Sequence, residues 1–444
     1  MSNKREVRLT DLKDFFVKNK LLLVLASVCT VFVLVIAIVL GVIITNEDTE
    51  KPPETDAPEE LFVPSVLDDS DPINGVWIAS VFNINFPSTA SLTESALKAE
   101  LDDIVLTTKN AGLNTIFFQV RPESDSLYES DIYPVSKYLS RDGVLTLDAL
   151  EYIVEKAHSE GISVHAWINP VRVTSSSSVE IDDLSIKNPA RIHPEYTVKY
   201  ADGKIYYNLG IPEVRELICD GVEEIVENYD VDGIVFDDYF YPYPVYSVDE
   251  SGASVAVDFE DRDAYTAYNA NGLDIADWRR DNVNRLIKAV FDTVKSADKD
   301  CLFGVSPFGI WKNGYGDESG SLTSGNESYK TIYCDSLAFI KGGYVDYIAP
   351  QLYWKAEQES ASYTILCDWW AEMVKGTKVR LLVCHGAYRY DNDWESPEGV
   401  MTSQVLYARN KELYRGSLFY GYEALKNNIN GLYDEIKELY LGQE

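Results

Sequence analysis

Histidine is scarce, at 4 in 444 residues, and no H-x-H or H-E-x-x-H pattern occurs. A zinc hydrolase needs imidazoles at such spacings, so metal catalysis is poorly served, the more so because His158 falls inside an expected helix. Cysteine is sparse at 6, with no C-x-x-C pair, which argues against a disulfide-dense scaffold, a zinc ribbon or a redox couple. Cys29 falls in a long apolar run; Cys219, Cys301, Cys334, Cys367 and Cys384 read as buried free thiols. Positive charge is short as well: 39 Lys and Arg face 72 Asp and Glu, for a net charge of -33. A field of that sign repels phosphate backbones and excludes nucleic acid as a partner. The serine elbow G-x-S-x-G is missing too, since GVSPF at 304–308 lacks its second glycine. Nothing in the chain calls for a cofactor.

What is present is an ample core, with 46% hydrophobic residues, and many rings, 30 Tyr and 8 Trp. Such rings stack on flat apolar faces and hydrogen-bond at the rim, as a sugar groove requires. Leu21 to Ile44 is an uncharged run of 24 residues, ~36 Å long as a helix against a hydrocarbon core of ~30 Å. It reads as a transmembrane anchor. Residues 1–20 carry six basic and three acidic groups, whereas 45–74 carry ten acids and only Lys51. That bias places 1–20 in the cytoplasm and the remainder in an extracytoplasmic location at the cell membrane. A cleaved signal peptide fits less well, because the run is long and no A-x-A-like site ends it. Segment 45–74, acidic and proline-bearing, reads as a tether. The remaining 75–444 still carries -27.

From Gly75 onward, apolar β-rich runs alternate with amphipathic stretches, the pattern of βα units around a parallel sheet. Eight strands are expected, beginning at Gly75, Asn114, Ile162, Asp232, Leu302, Val345, Val379 and Ser417. Helices are expected near 92–111, 146–160, 212–229, 275–298, 328–342, 362–375, 399–414 and 424–441. This matches an α/β fold of the (β/α)8 TIM-barrel type with enlarged loops, with an open doubly wound sheet as the alternative. The first βα turn, FNINFPS, lacks G-x-G-x-x-G, so a dinucleotide fold loses its main support.

A TIM barrel works at the C-terminal ends of its strands. Those ends carry Gln119, Arg121, Glu123 and Asp125; His165, Asn169 and Arg172; Asp237, Asp238, Tyr239 and Tyr241; Ser306 and Trp311; Gln351, Tyr353 and Trp354; His385 and Tyr388; and Tyr420 and Glu423. Carboxylate, amide and ring are what glycoside hydrolysis requires. The leading carboxyls are Asp237 and Asp238. Side chains alternate along a strand, so only one faces the axis if the strand persists, and Asp237 is the expected one. Asp237 is then the expected nucleophile or base, and Asp125, Glu123 or Asp238 the acid. Each has a bland alternative as a capping, salt-bridging or loop group, and the histidines, Trp311, Tyr353 and Trp354 have one as packing.

The segments GVWIASVFNINFPS, FFQVRPESDSLYESDIYPVSKYLS, HAWINPVRV, DGIVFDDYFYP, GVSPFGIWKN and DYIAPQLYW occur in this order. Together they resemble the glycosyl hydrolase-like 10 family of bacterial envelope proteins, over roughly 75–390. The resemblance implies a TIM barrel acting on glycan, with peptidoglycan strands as the expected substrate. It carries the family's acidic pair onto Asp237 and Asp238, its R-P and downstream Asp onto Arg121, Pro122 and Asp125, its N-P-x-R onto Asn169, Pro170 and Arg172, and its P-Q-x-Y-W onto Pro350, Gln351, Tyr353 and Trp354. Glu123-Ser124 and Val171 depart from the pattern. The segment around Asp237 also departs from the chitinase D-x-x-D-x-D-x-E signature, with Val235 and Tyr239 at two acidic positions, so chitinase-type substrate assistance is not expected. The resulting expectation is a membrane-anchored hydrolase of cell-wall glycan. A non-catalytic glycan receptor and a hydrolase of another surface polysaccharide are the rivals.

Overall fold

A computed structural model describes residues 72–442, apart from 249–251, 316–318, 392–393 and 395–396. The expected anchor, Leu21 to Ile44, and nearly all of the tether lie outside the described residues. Among the described residues no helix is long and apolar enough to cross a membrane.

Eight parallel strands close into a barrel: β1 (Gly75–Ile78), β2 (Thr115–Arg121), β3 (Ser163–Ile168), β4 (Gly233–Phe236), β5 (Leu302–Val305), β6 (Tyr347–Ile348), β7 (Arg380–His385) and β8 (Tyr414–Tyr420). Each pairs with its neighbour in sequence, and β8 returns to β1 with Leu418 opposite Gly75. That closure excludes the open doubly wound sheet.

The principal helices are α1 (Glu94–Asn110), α2 (Ala149–Ser159), α3 (Pro212–Asn228), α4 (Ile275–Ala297), α5 (Ser336–Gly342), α6 (Tyr363–Val374), α7 (Val400–Arg409) and α8 (Leu432–Leu441). Side-chain caps set several starts: Asp148 accepts from the Glu151 N–H at 2.9 Å, and Asp274 from the Asp277 N–H at 2.9 Å. Two expected helices are broken. The stretch 328–342 divides at Tyr333, whose φ is 53°, and 424–441 divides where Asn428, Asn430 and Gly431 all take positive φ. Such a run cannot continue a right-handed helix. Two small hairpins escaped the sequence reading, Thr197–Lys199 with Ile205–Tyr207 and Tyr246–Val248 with Ser254–Ala256. Their strands are only three residues long, too short for a periodicity.

Alternation divides each strand between two layers. On β3, Val164, Ala166 and Ile168 face the helices, while Trp167 joins Trp77, Phe117, Val235, Tyr347, Leu382 and Leu418 inside the barrel. His165 belongs to this interior: its Nδ1 lies 2.9 Å from the Tyr347 hydroxyl and its ring 4.8 Å from that of Phe117. Gly304 makes room for Tyr347, since a β-carbon there would sit 2.0 Å from the ring. Gly304→Ala is therefore expected to cost about 1–3 kcal/mol by overpacking. Urea unfolding checks this, and an unchanged midpoint would show that the ring has room to move.

Candidate active site

Strand β4 ends at Phe236, one residue before the acidic pair. Alternation directs Asp237 inward with Val235, but the strand does not persist, and Asp238 is free to turn the same way. Both carboxyls line one cleft of about 260 Å³ at the C-terminal mouth of the barrel, with Trp77, Trp167, Tyr239, Ser306, Gln351, Tyr353, Tyr388 and Tyr420.

Neighbouring strand ends hold the two carboxyls in place. Asp237 accepts from the Trp167 indole N–H at 3.0 Å and from the Asn169 amide at 3.2 Å. Asn169 also accepts from the Arg172 N–H at 3.0 Å, while the Arg172 guanidinium donates to the Pro122 carbonyl and lies 5.5 Å from the centre of the Tyr239 ring. Asp238 accepts from the Tyr243 hydroxyl and, at 3.1 Å, from the Gln351 amide. Asp237 is 4% exposed. Burial pushes its carboxyl up to about 7; Asp238 adds to that, and Arg172, Trp167 and Asn169 oppose it. Burial also raises Asp238, against the hydrogen bonds from Tyr243 and Gln351. A carboxyl that still holds its proton near neutrality is what a glycosidic acid needs.

Rings form much of the remaining wall. Tyr353 and Tyr420 lie parallel at 5.9 Å, with Tyr388 edge-on to both. Trp77 meets Trp167 edge-on at 5.1 Å. Neither tryptophan was singled out from the sequence, because a Trp within an apolar strand reads as core. Its inward parity, shared with Val235 and Asp237, was the available signal. Tyr243, the second tyrosine of the Y-P-Y-P run at 241–244, carries no such signal, since its neighbouring prolines mark a turn.

Other expected site residues lie elsewhere. A register shift between Gln119 and Arg121 turns Arg121 to the helix side, where its guanidinium covers Tyr133 at 3.7 Å. Glu123 and Asp125 line a second cleft, of about 390 Å³, with Lys137 and Arg141. There Glu123 pairs with Lys137 at 2.8 Å and accepts from the Tyr138 hydroxyl and the Ser175 N–H, and burial together with Glu123 raises Asp125 to about 7. His385 is bonded to Ser417 and stacks between Tyr363 and Phe419. Burial lowers both His165 and His385 to about 4, so both are neutral at physiological pH. Trp311 donates to Asp335 and stacks on Trp369, and Trp354 packs edge-on against Phe308. Tyr241 is buried between Phe259 and Tyr333 beside a third cavity. Glu423 is exposed in the short helix Tyr422–Lys426. Cys301, Cys334, Cys367 and Cys384 are buried and Cys219 half-buried, all unpaired.

Residues 72–396 match the sequence model of the glycosyl hydrolase-like 10 family. The glycosyl hydrolase YngK of Bacillus subtilis is 37% identical over 379 residues, 83% of this chain and 72% of that protein. The glycosyl hydrolase DigH of Escherichia coli K12 is 33% identical over 358 residues, 74% of this chain and 78% of that one. Among solved structures, the glycoside hydrolase domain of PgaB from Bordetella bronchiseptica superposes with a TM-score of 0.50 at 13% identity, covering 82% of this chain and 98% of that domain. At that identity the likeness concerns the fold.

Proposed function

Since the chain belongs to the glycosyl hydrolase-like 10 family, we propose that it is a glycoside hydrolase of cell-wall glycan, with peptidoglycan strands as substrate. The observation that carries the reading is the cleft itself: two buried carboxyls on fixed donors at the mouth of a barrel, facing a wall of aromatic rings. Rings accept the apolar faces of a sugar, and a protonated carboxyl supplies the proton that a departing glycosidic oxygen needs. The uncharged run from Leu21 to Ile44 and the acidic stretch after it support a membrane-anchored enzyme working outside the cytoplasm.

The test is incubation of the full-length chain with purified peptide-free peptidoglycan strands, followed by mass spectrometry and assay of new reducing ends. Short muro-oligosaccharides are expected. Burial gives Asp237 the acid's role in place of the nucleophile or base expected from the sequence: it acts protonated, so turnover is present below its ionisation and falls as pH rises through about 7. A binding protein without turnover would release no reducing ends at any pH, and that result would overturn the proposal.

A further inference from the structure

Hydrolysis at one sugar carbon ordinarily uses two carboxyls on opposite faces of the ring, ~5–5.5 Å apart for retention and ~6.5–9.5 Å for inversion. The cleft supplies its carboxyls differently. Its lining holds two, Asp237 and Asp238, consecutive in the chain and both delivered from the end of β4. In the order around the barrel, β8 stands diametrically opposite β4 with β1 beside it, and what they bring to the mouth is Tyr420 and Trp77. Glu123 and Asp125, the other candidates, line a different cleft, and Glu123 is held by Lys137, Tyr138 and Ser175. The phenols are poor substitutes for a nucleophile, since burial raises Tyr353 and Tyr420, and the charge of Asp238 with burial raises Tyr239. Among the described residues, the acids of the cleft stand on one side and face aromatic rings, with no carboxylate of the cleft lining across from them.

We propose that the substrate provides the nucleophile: the sugar at the cleavage point carries a 2-acetamido group whose carbonyl oxygen attacks C1, while Asp238 receives the acetamide N–H and Asp237 protonates the leaving oxygen. The chitinase sequence spacing is absent, but the chemistry needs only two carboxyls in these roles. In the first step the carbonyl oxygen's lone pair forms the bond to C1. The C1–O glycosidic pair leaves with the departing oxygen, which takes the proton of Asp237, and the acetamide proton passes to Asp238, leaving a neutral oxazoline. In the second step water adds to C1 and gives a proton to Asp237. The C1–oxazoline oxygen bond breaks, and the ring nitrogen recovers its proton from Asp238. The product sugar retains its configuration.

This inference rests on the hydrolase reading and names its substrate class as 2-acetamido sugars. Peptide-free strands are N-deacetylated and re-acylated with either acetyl or trifluoroacetyl groups, then offered to the full-length chain. Fluorine drains the attacking oxygen, so kcat is expected to fall on the order of 100-fold while KM changes little, and NMR of fresh product should show the retained anomer. Equal kcat on both strands, or an inverted anomer, would overturn the inference and leave the hydrolase reading standing. Failure to cleave even the acetylated strands would overturn both.

Discussion

Asp237→Asn is expected to lower turnover on native glycan strands by about 10²–10⁴-fold, the usual contribution of a general acid. The variant should fold. Asn is isosteric, it can still accept from the Trp167 indole, and it spares the protein the burial of a carboxylate. The diagnostic comparison is a substrate whose leaving group needs no proton, such as a nitrophenyl glycoside of the same sugar. On it Asp237→Asn should recover much of its rate and lose the decline above about pH 7, whereas Asp238→Asn should stay slow on both substrates because the acetamide is no longer polarised. Wild-type turnover by Asp237→Asn would remove Asp237 from the chemistry. Recovery by Asp238→Asn in its place would exchange the two roles.

Arg279→Met should be the most destabilising single change outside the cleft, at about 3–5 kcal/mol. The guanidinium is 2% exposed. It donates to both Asp261 oxygens at 2.9 and 2.6 Å, and at 2.8 Å to Asp258, to the Phe259 carbonyl and to the Tyr333 hydroxyl. Its removal leaves the fully buried Asp261 carboxylate without its cation. It also releases two segments at once, 258–261 from the excursion that begins at the acidic pair and Tyr333 from the break before α5. The urea midpoint should fall with little change in slope, and adding Asp261→Leu should restore much of the loss by removing the stranded charge. A midpoint unchanged in Arg279→Met would show that water reaches the site and replaces the arginine.

The barrel was legible because its strands are short apolar runs that alternate with amphipathic stretches, some of them bounded by local signals such as Asp148, Pro212 and Asp274. The acidic pair was legible for the same reason, since parity from Val235 points Asp237 at the axis. What parity could not show is where the strand stops, and that one residue decides whether Asp238 faces away or shares the cleft. Arg121 was misplaced by the register shift beside Gln119, which leaves no mark in composition. Glu123 and Asp125 were grouped with the pair because all four follow strand ends, yet which loops meet over the mouth depends on packing among distant segments.

Consecutive residues have a mutual separation set by covalent geometry, ~3.8 Å between α-carbons. Carboxyls on facing strands would instead be kept in register by every side chain between them, and any breathing of the barrel would change their gap. With Asp237 and Asp238 on one short piece of backbone, thermal swelling or drift in the core carries both groups together as a unit. The backbone spacing of the pair is thereby set by the chain itself, and what the scaffold adjusts is the turn of each carboxyl, through Trp167 and Asn169 on Asp237 and Gln351 on Asp238.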